Sequence, residues 1–178
     1  MKITKQISLL LLVMITAFAC EDLDELTEFD INGDLSTSFS VAVTEDSEGM
    51  PAEFSENSTI DLASNVDIQS SIDLIQGVTV NDLTYEIDNF EGAPNATLTE
   101  GTFTFGSTTI SITDVNLEES DDNNTVYTIE DAAALNAIAS ALANESSITA
   151  SVNGTVSGTP VSFDILLELD VTTTVDVL

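Results

Sequence analysis

Histidine and tryptophan are absent from this 178-residue chain, cysteine occurs once, and positive charge amounts to two lysines. Each shortage removes a class of chemistry. Without histidine there is no Ser-His-Asp triad and no Cys-His pair. A lone cysteine and no histidine cannot build a zinc site of the usual ligands. Without tryptophan, the ring best suited to stacking on sugars is missing. The lysines are Lys2 and Lys5, so no cation follows residue 5. That leaves no Schiff-base lysine and no lysine to complete a phosphate-binding loop. It also leaves nothing to neutralise phosphates, which excludes nucleic acid as a partner and disfavours direct adhesion to anionic lipid headgroups.

What the chain has in abundance is carboxylate. Its 32 Asp and Glu residues all follow Cys20, and the formal net charge is −30. No side-chain salt bridge can form beyond residue 5. Each carboxylate must therefore stay in water, accept hydrogen bonds from neutral donors, or hold a metal ion. High charge with low hydrophobicity would indicate disorder. Here 43% of residues are hydrophobic and β-branched residues are plentiful, so the composition predicts a folded domain. Its cost is self-repulsion across the surface, which salt screens.

The first twenty residues read MKITKQISLLLLVMITAFAC. Lys2 and Lys5 form a positive start, Ile7 to Ala17 an apolar run, and the small Ala19 precedes Cys20. This is the three-part pattern of a secretion signal over residues 1–19. A membrane span needs ~20 apolar residues, more than this run supplies. With Cys20 at its end, the segment resembles the lipobox of bacterial lipoproteins. Ala19 matches the small residue required before the cysteine, whereas Ala17 and Phe18 depart from the usual Leu-Ala/Ser pair. The resemblance implies cleavage before Cys20 and a diacylglycerol thioether on it. Lipid chains anchor through burial of methylenes at ~0.8 kcal/mol each. The acidic run Glu21-Asp22-Leu23-Asp24-Glu25 is similar to the surface-export signal of Bacteroidota lipoproteins. It implies an outer-membrane, cell-surface location, with the membrane as a partner through the anchor alone.

Residues 20–28 read as an acidic tether and residues 29–178 as one β domain. From Phe29 onward apolar residues recur with period two. Phe29, Ile31, Leu35, Phe39, Val41 and Val43 share one parity. An acidic loop is expected over Thr44–Thr59, with a turn at Gly49-Met50-Pro51, then short strands around Ile60, Val66, Ile72 and Val78. Parity switches before Leu83, Tyr85 and Ile87, which predicts a turn or bulge near Asn81-Asp82. Gly106-Ser107 reads as a tight turn. One helix is expected near 129–143, capped by Thr128 with Asp131 three residues on. Ile148–Val156 and Val161–Val171 read as a hairpin about Ser157–Pro160, with Leu166 alone spoiling the polar face of its strand. About eight such strands predict a mainly β fold, a two-sheet antiparallel β-sandwich of immunoglobulin-like or related Greek-key order.

Only carboxylate chemistry survives these exclusions. Glu86 with Asp88, and Glu168 with Asp170, sit two apart on strands and could serve as acid and base of a hydrolase. Asp30-Ile31-Asn32-Gly33-Asp34 begins like a calcium loop, but Leu35 and Val41 stand where the glycine and the bidentate glutamate belong. These three polar residues then read as the solvent face of a strand. A better calcium candidate is the acidic stretch before the helix, taken as a loop, with Glu118, Glu119, Asp121 and Asp122 as ligands. The reading the sequence favours is a non-enzymatic outer-membrane surface lipoprotein acting as a structural or interaction module, lipidated at Cys20. The alternatives are a calcium-dependent glycan- or protein-binding module, then a carboxylate hydrolase.

Overall fold

The last strand shows most directly how this chain makes a core. Along Val161–Asp176, the buried positions are Val161, Phe163, Ile165, Leu167, Leu169, Val171, Thr173 and Val175, with polar or exposed residues between them. Such strict alternation suits a strand with one face in a core and the other in water. In the computed structural model, which describes residues 27–44 and 51–177, this strand lies between two others of its sheet. The signal segment, Cys20, the tether as far as residue 26 and the turn at Gly49-Met50 lie outside the described residues.

Eight strands form: β1 (Glu28–Val43), β2 (Ala52–Asp61), β3 (Ile75–Gly92), β4 (Thr97–Phe105), β5 (Thr108–Asn116), β6 (Val126–Thr128), β7 (Ser147–Val156) and β8 (Val161–Asp176). Among the described residues three α-helices join them: α1 (Val66–Gln69), α2 (Leu117–Asp122) and α3 (Ala132–Glu145). One sheet has the order β1-β8-β3-β6 and the other β2-β7-β4-β5. Every pairing is antiparallel. The first strand pairs with the last, the second with the seventh, the third with the sixth, and the fourth with the fifth. The chain is in effect one long hairpin rolled up, its successive strand pairs placed alternately in the two sheets. This is the eight-stranded jelly roll, a double Greek key. The Greek-key alternative therefore holds over the immunoglobulin order.

The core lies between the sheets. Phe103 of β4 sits at its centre, 6.3 Å from Phe39 and Phe105 and edge-on to Tyr85 at 5.3 Å between ring centroids. Leu35, Leu83, Ile87, Leu98, Ile165 and Leu169 fill the surrounding layers. Each such side chain contributes about 1.5–3 kcal/mol on burial. That apolar packing must hold the fold against a surface that repels itself. Helix α3 carries the chain from one sheet to the other and buries Ala134, Ile138, Ala139 and Leu142. The switch of parity in β3 is a bulge between Val80 and Asp82, where expected.

Several expectations need correction. β7 and β8 are not a hairpin: they belong to opposite sheets, and the Ser157–Pro160 link arches across the sandwich. Both strands alternate toward the same core, so their pattern fits either arrangement. Ser157 N–H donates to Thr97 O at 2.9 Å, and Ala93 N–H to Pro160 O at 3.0 Å, tying the arch to the β3–β4 connection. The second half of the supposed loop Thr44–Thr59 is β2, from Ala52 onward. It is an edge strand, and the half-buried Glu56 and Ser58 alternate with exposed residues, which hides its apolar pattern. Residues 62–74 are helical turns rather than short strands. Asp61 accepts a bond from Ala63 N–H, and Asn65 accepts from Asp67 and Ile68 N–H, so side-chain caps compete with strand extension. The cap of α3 is Asp131, bonded to Ala133 and Ala134 N–H at 3.0 Å each, whereas Thr128 ends β6.

One glycine is required by the arch. Gly92 has φ +139°, and a Cβ there would lie 2.3 Å from the Pro160 carbonyl oxygen. Gly92→Ala is therefore expected to lose about 2 kcal/mol or more in denaturant unfolding, from overpacking and backbone strain together. Gly77→Ala, with open space around it, should stay within about 0.5 kcal/mol of the parent. Equal losses for the two variants would contradict the arch geometry.

Candidate functional site: the outer face of the first sheet

The outward side chains of β8 are Ser162, Asp164, Leu166, Glu168, Asp170, Thr172 and Thr174. The register sets each of them between partners on β1 and β3. Asp164 lies between Ser40 and Asp88, Leu166 between Ser38 and Glu86, Glu168 between Ser36 and Thr84, and Asp170 between Asp34 and Asp82. Like charges directly opposite one another on a sheet destabilise it. This face carries such a pair at Asp88–Asp164 and a row of three at Asp34–Asp170–Asp82, with no cation beside them.

Neutral amides take the place of cations. Asn89 has φ +55° and stands where the β3–β8 register breaks between Asp88 and Glu91. Its Nδ2 donates to Asp164 at 2.9 Å and to Asp88 at 3.2 Å, clamping the facing pair. Asn81 stands at the bulge between Val80 and Asp82. Its Nδ2 donates to Asp170 at 3.0 Å and to Thr172 Oγ1 at 2.9 Å, and Thr172 in turn donates to Asn32 at 2.8 Å. Thr174 donates to Asp30 at 2.8 Å. Asp30, Asn32 and Asp34 are thus exposed strand residues on this same face.

Between the two clamps the face changes character. Leu166 is 39% exposed and Val126 of β6 is 59% exposed, the two standing on either side of Glu86 in one cross-strand row. They line a shallow groove of about 440 Å³ together with Ser36, Ser38, Thr84 and Glu168. Glu86 and Glu168 have no hydrogen-bond donor among the described residues. As diagonal neighbours about Leu166 they are roughly 7–8 Å apart at the backbone. Both predicted carboxylate pairs, Glu86 with Asp88 and Glu168 with Asp170, therefore reach one face. Only Glu86 and Glu168 border the groove.

Of the calcium candidates, Glu118, Glu119 and Asp122 border one shallow pocket with Asn95, Asn116 and Asn123, and Asp121 does not. Their segment is helix α2, not a loop. Asn116 caps it by accepting from Glu119 N–H at 3.0 Å, Leu117 and Ser120 are buried beneath it, and Glu118 and Glu119 lie in the first turn, where the helix dipole favours acids. Glu118 accepts from Asn95 N–H at 3.0 Å and Asp121 from Phe90 N–H at 3.1 Å, pinning the helix to β3 and the loop after it. Glu119 and Asp122 are exposed. Among the described residues no three carboxylates gather closely enough to hold a metal ion.

Sequence reasoning missed the tyrosine column beside the groove. Tyr85 and Tyr127, cross-strand partners in β3 and β6, stack at 4.8 Å and 12°. Ser120 Oγ donates to the Asn116 carbonyl at 2.6 Å, so the Tyr127 hydroxyl donates to Ser120 Oγ, also at 2.6 Å. This column fastens the three-residue β6, and hence Val126, to the sheet. The only advance signal was that these are the two tyrosines of the chain.

No protein-family model and no curated protein matches the chain. Among solved structures it is similar to the decameric BFDV capsid protein, at 10% identity and TM-score 0.43, covering 82% of this chain and 99% of that one. Desmodium yellow mottle tymovirus gives 10% identity and TM-score 0.35, over 84% of this chain and 90% of that one. Tobacco necrosis virus gives 11% and 0.34, over 82% and 98%. The jelly-roll order rests on the strand pairing above, not on these likenesses. Among the described residues no helix is long and apolar enough to cross a membrane.

The Tyr85 phenol is pushed up to about 12, by burial first and then by Tyr127, whose ionisation opposes a second phenolate beside it. In the unfolded chain a tyrosine releases its proton near pH 10. Between pH 10 and 12 the unfolded state therefore loses a proton that the folded state keeps, and stability falls as pH rises through that window. Unfolding midpoints measured across it should decline less steeply for Tyr85→Phe than for the parent. Identical slopes would show that Tyr85 does not carry the effect.

Proposed function

We propose that this chain is a bacterial surface lipoprotein, anchored in the outer membrane through lipid on Cys20, whose jelly roll is a non-enzymatic interaction module. The observation that carries the reading is the segment from Lys2 to Cys20, with Ala19 before the single cysteine and the acidic run Glu21–Glu25 after it. A module tethered in this way needs no spanning segment, since acyl chains supply the membrane affinity.

The chemistry of the domain supports a binding role over a catalytic one. Glu86 and Glu168 border an open groove on a sheet face. Glycoside cleavage by two acids relies on a site that raises the pKa of one of them, usually by enclosing it in apolar surroundings. Glu168 is exposed beside Ser36 and Thr84, and Glu86, half-buried between Leu166 and Val126, lies on an open sheet face, so neither has such an enclosure. Two of the four acids of α2, Glu118 and Asp121, hold backbone amides, which gives them a structural use.

Cys20→Ser should move the protein from the membrane fraction to the soluble fraction while its far-ultraviolet circular dichroism stays that of the parent. A variant that still fractionates with membrane would overturn the anchor.

A further inference from the structure

We infer that the groove around Leu166 is a docking site for an extended, basic polypeptide segment, one face of which carries an apolar side chain with lysine or arginine two residues away on each side. The inference rests on the interaction-module reading above and names the partner class of that module. Three observations carry it.

The first is selective satisfaction of the acids. Asp88 and Asp164 share Asn89, Asp170 takes Asn81, and Asp82 takes the N–H of Leu83 at 2.9 Å. Glu86 and Glu168, which flank the groove, have no such donor among the described residues; the Asp34 carboxylate has none either, but it lies outside the groove. The second is apolar exposure at the same place. Leu166 is the one large apolar residue on the outer face of β8, and β6 brings Val126 into the same row. Water gains nothing from either, whereas a partner's aliphatic side chain would cover both. The third is charge complementarity. No described residue is cationic, so the occupant must supply all the positive charge. Opposed potentials of this kind steer association and fix register.

The spacing favours an extended partner. Along β8, Leu166 and Glu168 stand two residues apart, roughly 6.8 Å at a strand rise of ~3.4 Å, and Glu86 stands directly across from Leu166. An extended segment with an apolar side chain flanked two residues away on each side by lysine sets its charges at that distance from its apolar group. Its aliphatic side chain would meet Leu166 and Val126, and its ammonium groups would reach Glu168 and Glu86.

The test is a titration of the full chain, in detergent, with a labelled nine-residue peptide alternating lysine and serine about one central leucine. Fluorescence anisotropy is the readout. Saturable binding is expected, weakening at least about tenfold for Glu86→Gln combined with Glu168→Gln, and about tenfold for Leu166→Ser. Glu53→Gln combined with Glu100→Gln removes the same charge from the outer face of the other sheet and should leave affinity within about twofold of the parent. Equal weakening by the two double variants would reduce the binding to diffuse attraction by an acidic protein and overturn the site. So would unchanged affinity when serine replaces the peptide's leucine, or no binding at all. Each of these failures leaves anchoring through Cys20 standing, because fractionation reads that separately.

Discussion

Repulsion among carboxylates that no side-chain cation can relieve is the constraint on which this structure turns. Lys2 and Lys5 are the only basic side chains, and both precede the described domain. A sandwich with mixed charge can offset opposed acids with lysine or arginine across the strand. This one must use water and neutral donors. The consequence is visible in β3, where both irregularities next to facing acids carry an asparagine. Asn81 and Asn89 turn their amides onto Asp170 and onto the Asp88–Asp164 pair. The bulges are thus more than accommodations of twist, since they re-aim a side chain at the place where charge needs a partner.

The same shortage shapes the rest of the surface. Threonine hydroxyls of β8 bond to Asp30 and Asn32 of β1, and Asp121 and Glu118 of α2 bond to backbone amides of β3 and the loop that follows it. Such bonds contribute about 0.5–1.5 kcal/mol net to a neutral acceptor and about 1.5–3 kcal/mol to a carboxylate. The cohesion comes from the apolar layer between the sheets, and the polar devices keep the surface from working against it. Where the devices stop, around Glu86, Leu166 and Glu168, the face offers bare carboxylates beside exposed aliphatic groups. That junction is what gives an otherwise uniform acidic surface a place to bind something.

Much of this architecture could be read from the sequence. Period-two alternation marked the strands on both sides of the core, the parity switch before Leu83 marked the bulge at Val80–Asp82, and Gly106-Ser107 marked the single tight hairpin, β4 to β5. Leu166 stood out as an apolar residue on a polar face. Pairing was not legible, because alternation reports which face is buried and says nothing about which strand lies alongside. That is why β7 and β8 looked like a hairpin when they line opposite walls. β2 escaped notice because an edge strand tolerates Glu56 and Ser58 at inward positions. Residues 62–74 misled because Ile, Val and Leu dominate local propensity, whereas the caps at Asp61 and Asn65 decide the backbone. The acids of α2 suggested a metal site because sequence shows their type and spacing but not the backbone amides they accept from.

The central claim is that neutral amides stand in for missing cations, and the Asn89 clamp isolates it. Asn89→Gly keeps a residue that tolerates the left-handed backbone while deleting the amide. Its thermal unfolding, compared with the parent in about 0.1 M and about 1 M NaCl, spans a fall in Debye length from ~10 Å to ~3 Å. The account predicts that both proteins melt higher in high salt and that the loss caused by Asn89→Gly shrinks there, since screening does part of the amide's work. A loss that is the same at both salt concentrations would contradict it.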